Sequence, residues 1–244
     1  MLGYSIEIPM TTSPTVRVAI VFHSGYGHTH RFAQAVAQGA EDAGARVLLT
    51  NVEQIDQYWN ELETMDAIIF GCPTYMGSAS APFKQFMDTS SHRAFVGQKW
   101  QNKVAAGFTN AASRAGDKLH TLQQLAVFAA QHGMHWVNLG LQAGHNKSTT
   151  NEDMLNRHGY FIGAAGQSDA DQPAHLSATA ADLATSAHLG ARVAMVARQL
   201  ACGRALLARY PLCNGYSTTS DNCSKRSPND HTVRSTLHSD RVTR

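Results

Sequence analysis

Hydrophobic and polar positions alternate along the chain in two rhythms, and the change from one to the other predicts the elements. Residues 16–22 (Val-Arg-Val-Ala-Ile-Val-Phe) form an apolar, β-branched run that opens into a Gly/Ser/Thr stretch, which reads as a strand ending in a turn. From about residue 28 to 43, Phe32, Ala33, Val36, Ala37 and Ala40 recur at helical spacing before Gly44, so a helix follows and stops at the glycine. Residues 46–49 read as the second strand. Residues 67–70 (Ala-Ile-Ile-Phe) are a continuous apolar run too short for a helix, as in a central parallel strand.

The rhythm continues with a helix from residue 81 or 82 to 88, a fourth strand over 103–108 and a long helix over 117–131. A fifth strand is expected over 135–139. A Gly- and Asn-rich insertion at 140–159 interrupts the pattern, and 173–200 is the closing helical region. Strands alternating with helices predict an α/β fold: a doubly wound, five-stranded parallel sheet with helices on both faces. Residues 1–15 read as an N-terminal extension, 16–201 as the folded domain, and 202–244, poor in large apolar residues, as a flexible tail.

Composition narrows the function classes. With 244 residues and 43% hydrophobic content there is ample material for a core. The net charge of +2 and the lack of a basic block with interleaved aromatics leave nucleic-acid binding without an electrostatic footprint. Cys72, Cys202, Cys213 and Cys223 show no C-x-x-C pairing, and the 13 histidines fall at no metal-ligand spacing, so no metal site is expected. No apolar run approaches membrane-spanning length and no export signal opens the chain, so the expected location is the cytoplasm.

The chemistry gathers where the strands end. Ser24-Gly25-Tyr26-Gly27-His28-Thr29 lies between the first strand and its helix, where free backbone N–H groups and the positive end of a helix dipole suit a phosphate. The loop has no lysine, which excludes a Walker loop, and His30 stands where a dinucleotide turn wants its third glycine. An ordinary βα turn uses the same residue types. Two further loops, Pro73 to Gly77 and Thr109 to Gly116, leave the same sheet edge with similar small and hydroxyl residues. In a doubly wound sheet that edge is where ligands bind.

Taken together, Ser24-x-Tyr26-Gly27-His28, Gly71-x-Pro73-Thr74-x-x-Gly77 after an Asp-Ala-Ile-Ile-Phe strand, and His132-Gly133-Met134 resemble the WrbA-type NAD(P)H:quinone oxidoreductases of the flavodoxin-like superfamily. The resemblance covers about residues 16–200 and takes in Arg157-His158-Gly159-Tyr160. It implies FMN as cofactor, NAD(P)H as co-substrate and a quinone or similar small molecule as acceptor, in a homodimer or homotetramer. By the same resemblance, Ser24, Gly25, Tyr26, Gly27, His28 and Thr29 hold the FMN phosphate, the hydroxyls of Ser24 and Thr29 donating. Tyr26 also lies near the nicotinamide nucleotide. Pro73, Thr74, Tyr75, Met76 and Gly77 border the ring, and Asn110, Ala111, Ala112, Ser113 and Arg114 form the third contact. His132 meets the pyrimidine edge and is the catalytic candidate.

The chain departs from the family where Thr74-Tyr75-Met76-Gly77 replaces Thr-Arg-Phe-Gly and Ala111-Ala112-Ser113-Arg114 replaces Thr-Gly-Thr-Gln. The first change removes a cation beside the flavin, and Arg114 is the candidate to restore one. An electron-carrier flavodoxin and an FMN-binding protein without turnover are the competing readings.

Overall fold

The computed structural model describes residues 14–209. The expected N-terminal extension lies, but for its last two residues, outside them, as does the expected tail from residue 210 onward. In chain order the elements are β1 (Arg17–Phe22), α1 (His28–Asp42), β2 (Arg46–Asn51), α2 (Trp59–Leu62), β3 (Ala67–Tyr75), β4 (Ser78–Ala79), α3 (Ala81–Ser90), β5 (Val104–Ala111), α4 (Lys118–Gln131), β6 (His135–Trp136), β7 (Ala164–Gln167), α5 (Ala174–Ser177) and α6 (Ala180–Arg209). A 3-10 turn, Val52–Gln57, precedes α2, and a π turn, Ser91–Phe95, follows α3. The last helix runs past Cys202, where the apolar periodicity fades, to Arg209.

The sheet has the order β2-β1-β3-β5 and then β6 and β7, both parallel to β5 on its remaining side. β6 pairs with Val104 and Ala105, and β7 with the stretch from Phe108 to Ala111. They are two halves of one strand position. The predicted fifth strand over 135–139 therefore holds for two residues only, leaves the sheet through the insertion, and returns at Ala164 to finish the position. β4 is the one antiparallel member among the described strands, a short partner folded back on β3.

Strand residues alternate between two buried faces. Val18, Ile20, Phe22, Ile69, Ala106 and Phe108 pack with α1 and α6, while Ala19, Val21, Ile68, Phe70 and Ala105 pack with Trp59, Phe83, Phe86, Trp100 and Phe128. Both faces are covered, which is why the strands read as unbroken apolar runs. On the first face the helices touch backbone to backbone. A Cβ at Gly39 of α1 would lie 1.9 Å from Ala187 O, and one at Gly190 of α6 would lie 1.9 Å from Val36 O. The seam brings α6 close against α1, whose N-terminus opens onto the carboxyl edge of the sheet.

Candidate functional site

Four loops meet at that edge around a cleft of about 570 Å³, within the range of small-molecule sites. The first begins where β1 ends. Ser24 Oγ accepts the N–H of His30 (3.1 Å), and Gly27 O accepts that of Arg31 (3.3 Å). Gly27 sits at φ +83°, the left-handed conformation that turns the chain into α1. The first N–H groups of a helix lack intrahelical acceptors, so those of His28 and Thr29 face the cleft end of α1. Accepting there, Ser24 can still donate its own hydroxyl proton.

Thr29 is used differently from the expectation. Its hydroxyl, almost fully buried, donates to Asn110 Oδ1 (2.6 Å), and Asn110 Nδ2 donates to Ser168 Oγ (3.0 Å). This chain of hydrogen bonds runs from the first loop through the third to the loop after β7. His28 Nε2 lies 3.0 Å from Gln172 O and closes the same side.

The second loop is a two-residue hairpin. Met76 (φ +48°) and Gly77 (φ +82°) join β3 to β4, both at positive φ as a type I′ turn demands. Pro73 pairs with Asn110 at the end of the ladder, and Thr74 is buried, its Oγ1 donating to Thr121 Oγ1 (2.8 Å) and lying 2.9 Å from Thr109 Oγ1. Tyr75 lines the cleft, and its ring meets that of Tyr26 edge to face at 6.3 Å. Tyr26 is exposed at the rim beside Tyr75, whereas Met76, also exposed, and Gly77, whose carbonyl lies 2.6 Å from His120 Nδ1, do not line the cleft.

Of the third loop, Asn110, Ala111 and Ala112 line the cleft. Ser113 and Arg114 do not. Ser113 O accepts from Lys118 Nζ (3.3 Å), and the Arg114 guanidinium pairs with Glu152 in the insertion. The candidate replacement cation is thus engaged outside the cleft. The fourth loop contributes Ser168, Ala170, Gln172, Pro173 and Ala174, which the sequence reading missed. Its signal was slight: a small-residue run, Gly163-Ala164-Ala165-Gly166, just after the insertion.

A buried charged cluster stands behind the third and fourth loops. Asp182 of α6 accepts Arg157 Nε (2.8 Å) and Nη2 (2.9 Å), His158 Nε2 (3.3 Å) and the backbone N–H of Gln167 (2.9 Å). Burial alone would raise its carboxyl pKa, but the bonds from His158, Arg157 and Gln167 outweigh burial and hold it well below the usual carboxylate range. Arg157 also reaches Glu152 (2.5 Å), which holds Arg114.

His132 is not brought to the cleft of its own chain. It caps the carboxyl end of α4, whose fourteen residues extend about 21 Å at 1.5 Å per residue, while the amino end of α4 lies at the cleft. Gly133 O accepts Asn102 N–H beside the start of β5, at the opposite sheet edge. The His132 ring packs on Trp100 (4.5 Å) and Phe128 (4.9 Å), with Nε2 3.0 Å from Ser90 Oγ. Burial pushes its pKa down to about 4.

A folded pKa near 4 against about 6.5 unfolded means that the unfolded chain binds more protons between those values, so stability falls as pH drops from 6.5 to 4. The shift corresponds to roughly 3 kcal/mol across that window. Urea unfolding at pH 7.5 and pH 5 is expected to show the loss in wild type and a flatter dependence in His132→Leu. Equal pH dependence in both would contradict this packing role.

Comparison with known proteins agrees with the geometry. The sequence model of the NADPH-dependent FMN reductase family matches residues 18–147. Flavodoxin FldP of Pseudomonas aeruginosa is 41% identical over 185 residues, covering 75% of this chain and 98% of its own. An NAD(P)H dehydrogenase (quinone) of Archaeoglobus fulgidus is 31% identical over 207 residues, with 75% and 98% covered. The crystal structure of a WrbA-like flavodoxin from Agrobacterium tumefaciens superposes with a TM-score of 0.60 at 42% identity, over 76% of this chain and 99% of that one. The chain belongs to the NADPH-dependent FMN reductase family and has the flavodoxin-like fold.

Proposed function

We propose that the four-loop cleft binds FMN and that the protein passes electron pairs from NAD(P)H to a quinone or similar small acceptor. The observation that carries the reading is the joining of the open helix start at Ser24–Thr29 to the buried Thr29–Asn110–Ser168 hydrogen-bond chain. One end of the cleft presents N–H and O–H donors without a cation, and the other is walled by Pro73, Tyr75, Ala111 and Ala112. That polarity fits a flavin mononucleotide, with a phosphate at one end and a flat, largely apolar ring at the other.

Bound FMN supplies the hydride-accepting ring. The residues of the chain bind, orient and screen it: Ser24 and the N–H groups of His28 and Thr29 for the phosphate, Asn110 and Ala111 for the ring wall. Tyr26 and Tyr75 form the aromatic lip at which a planar donor or acceptor would enter. The quinone dehydrogenase relatives support an acceptor of that chemistry.

The carrier reading is favoured by the name of the 41% identical relative, a flavodoxin. A carrier docks through a strongly charged face, whereas the lip here is aromatic and the whole chain carries only +2. Anaerobic stopped-flow mixing of the FMN-loaded protein with NADPH separates the two. Bleaching of the flavin within seconds, followed by recovery on adding a benzoquinone, is the expected result. Oxidised flavin persisting for minutes would favour the carrier.

A further inference from the structure

Lys118, the first residue of α4, has no exposed surface, although an ammonium group is costly to remove from water. Its Nζ donates to Gly166 O of β7 (3.0 Å) and to Ser113 O of the third loop (3.3 Å), and stands 5.8 Å from the centroid of the Tyr160 ring. The charged groups around it are Asp182 of α6, Arg157 in the insertion and its own neighbour Asp117. Burial pushes its pKa down to about 8, with Asp182 opposing and Arg157 reinforcing that shift.

Of the two acceptors, Gly166 O lies near the end of the β5–β7 ladder and Ser113 O two residues past its last β5 member. β5 and β7 stay in register through Ala111 and Gln167, and the N–H of Ser168 to Ala111 O (3.0 Å) is the last backbone bond between them. Ala112, on one side, and Ser168, on the other, both line the cleft. The Lys118 ammonium ties Ser113, beyond the ladder, back to Gly166 within it.

The geometry points to Lys118 as a positioning residue that fastens the third loop to β7 and so sets the wall against which the flavin ring lies. This role rests on the FMN reading for its ligand, but the fastening itself is a property of the chain alone. A charge-assisted hydrogen bond is about twice as strong as a neutral one, so a neutral replacement loosens both segments. Because the ammonium acts on the ring wall, its loss weakens riboflavin and FMN by the same factor.

The test is amide hydrogen exchange on the ligand-free protein, comparing wild type with Lys118→Met and with Lys118→Gln, which keeps a neutral N–H donor. Exchange over residues 112–117 and 166–168 is expected to rise about tenfold in the Met variant and less in the Gln variant, with β1 and β3 unchanged. Fluorescence titration is expected to show FMN and riboflavin each binding roughly tenfold more weakly to the Met variant, the equivalent of one such bond. Unchanged exchange in the two segments, or faster exchange spread evenly through the sheet, would overturn the proposal. Should the Met variant not fold, the Gln variant reads the same segments with the same outcomes. If the variants show the local exchange effect while the wild-type protein takes up no FMN, the flavin reading fails and the fastening role stands.

Discussion

Asp182→Ala is expected to lower the unfolding free energy by about 3–5 kcal/mol, the usual effect of breaking a buried ion pair from one side. The carboxylate is almost fully buried and is the shared acceptor for Arg157, His158 and the Gln167 backbone. Its removal leaves a buried guanidinium with Glu152 as its remaining ion-pair partner, and against a typical total stability of about 5–15 kcal/mol the loss is severe. Asp182→Asn keeps an acceptor for Gln167 and is expected to lose less. Since the folded carboxyl titrates below its unfolded value, its contribution is complete above about pH 4 and disappears as pH falls below that. Urea unfolding followed by tryptophan fluorescence checks both points: a steep acid loss in wild type and a shallower one in the Asn variant below pH 4. A fully stable Asp182→Ala protein would show that the cluster does not hold the two loops.

Gly190→Ala should cost about 3 kcal/mol or more, and Gly39→Ala a similar amount, at the upper end of overpacking effects. Each new methyl would sit 1.9 Å from a backbone carbonyl of the facing helix, and backbone cannot rotate aside as a side-chain tip can. The helices α1 and α6 must separate, which tilts the start of α1 and the Ser24–Thr29 end of the cleft with it. Gly203 is the control. It lies in α6 with nothing within 4 Å of the place a Cβ would take, so Gly203→Ala should stabilise by roughly 0.5–1 kcal/mol through helix propensity. Thermal unfolding of the three variants reads the contrast in sign. Two glycine replacements that leave the melting temperature unchanged would contradict the seam.

Sequence alone carried the central sheet because β1, β3 and β5 are buried on both faces and so are written as continuous apolar runs. The first three loops were legible for the same reason, since each follows such a strand. The second half of the fifth strand position was not. Ala164-Ala165-Gly166-Gln167 has no β-branched or aromatic residue and becomes a strand only because β5 offers a free edge. With it went the fourth loop, including Ser168, to which Asn110 donates. His132 does not reach the cleft of its own chain because the motif is local while its consequence is not: the helix before it carries the imidazole to the far edge of the sheet. Arg114 and Lys118 show the same limit. Which cation reaches the cleft wall depends on Glu152, Ser113 and Gly166, residues distant from one another in the chain.

The measurement that bears most directly on the account is calorimetric titration of the ligand-free protein with FMN and, separately, with riboflavin. One FMN bound per chain is expected, at least tenfold tighter than riboflavin, if the Ser24–Thr29 turn engages the phosphate as proposed, through several hydrogen bonds that riboflavin cannot make. A properly folded chain that takes up neither compound, or binds both equally, would contradict it.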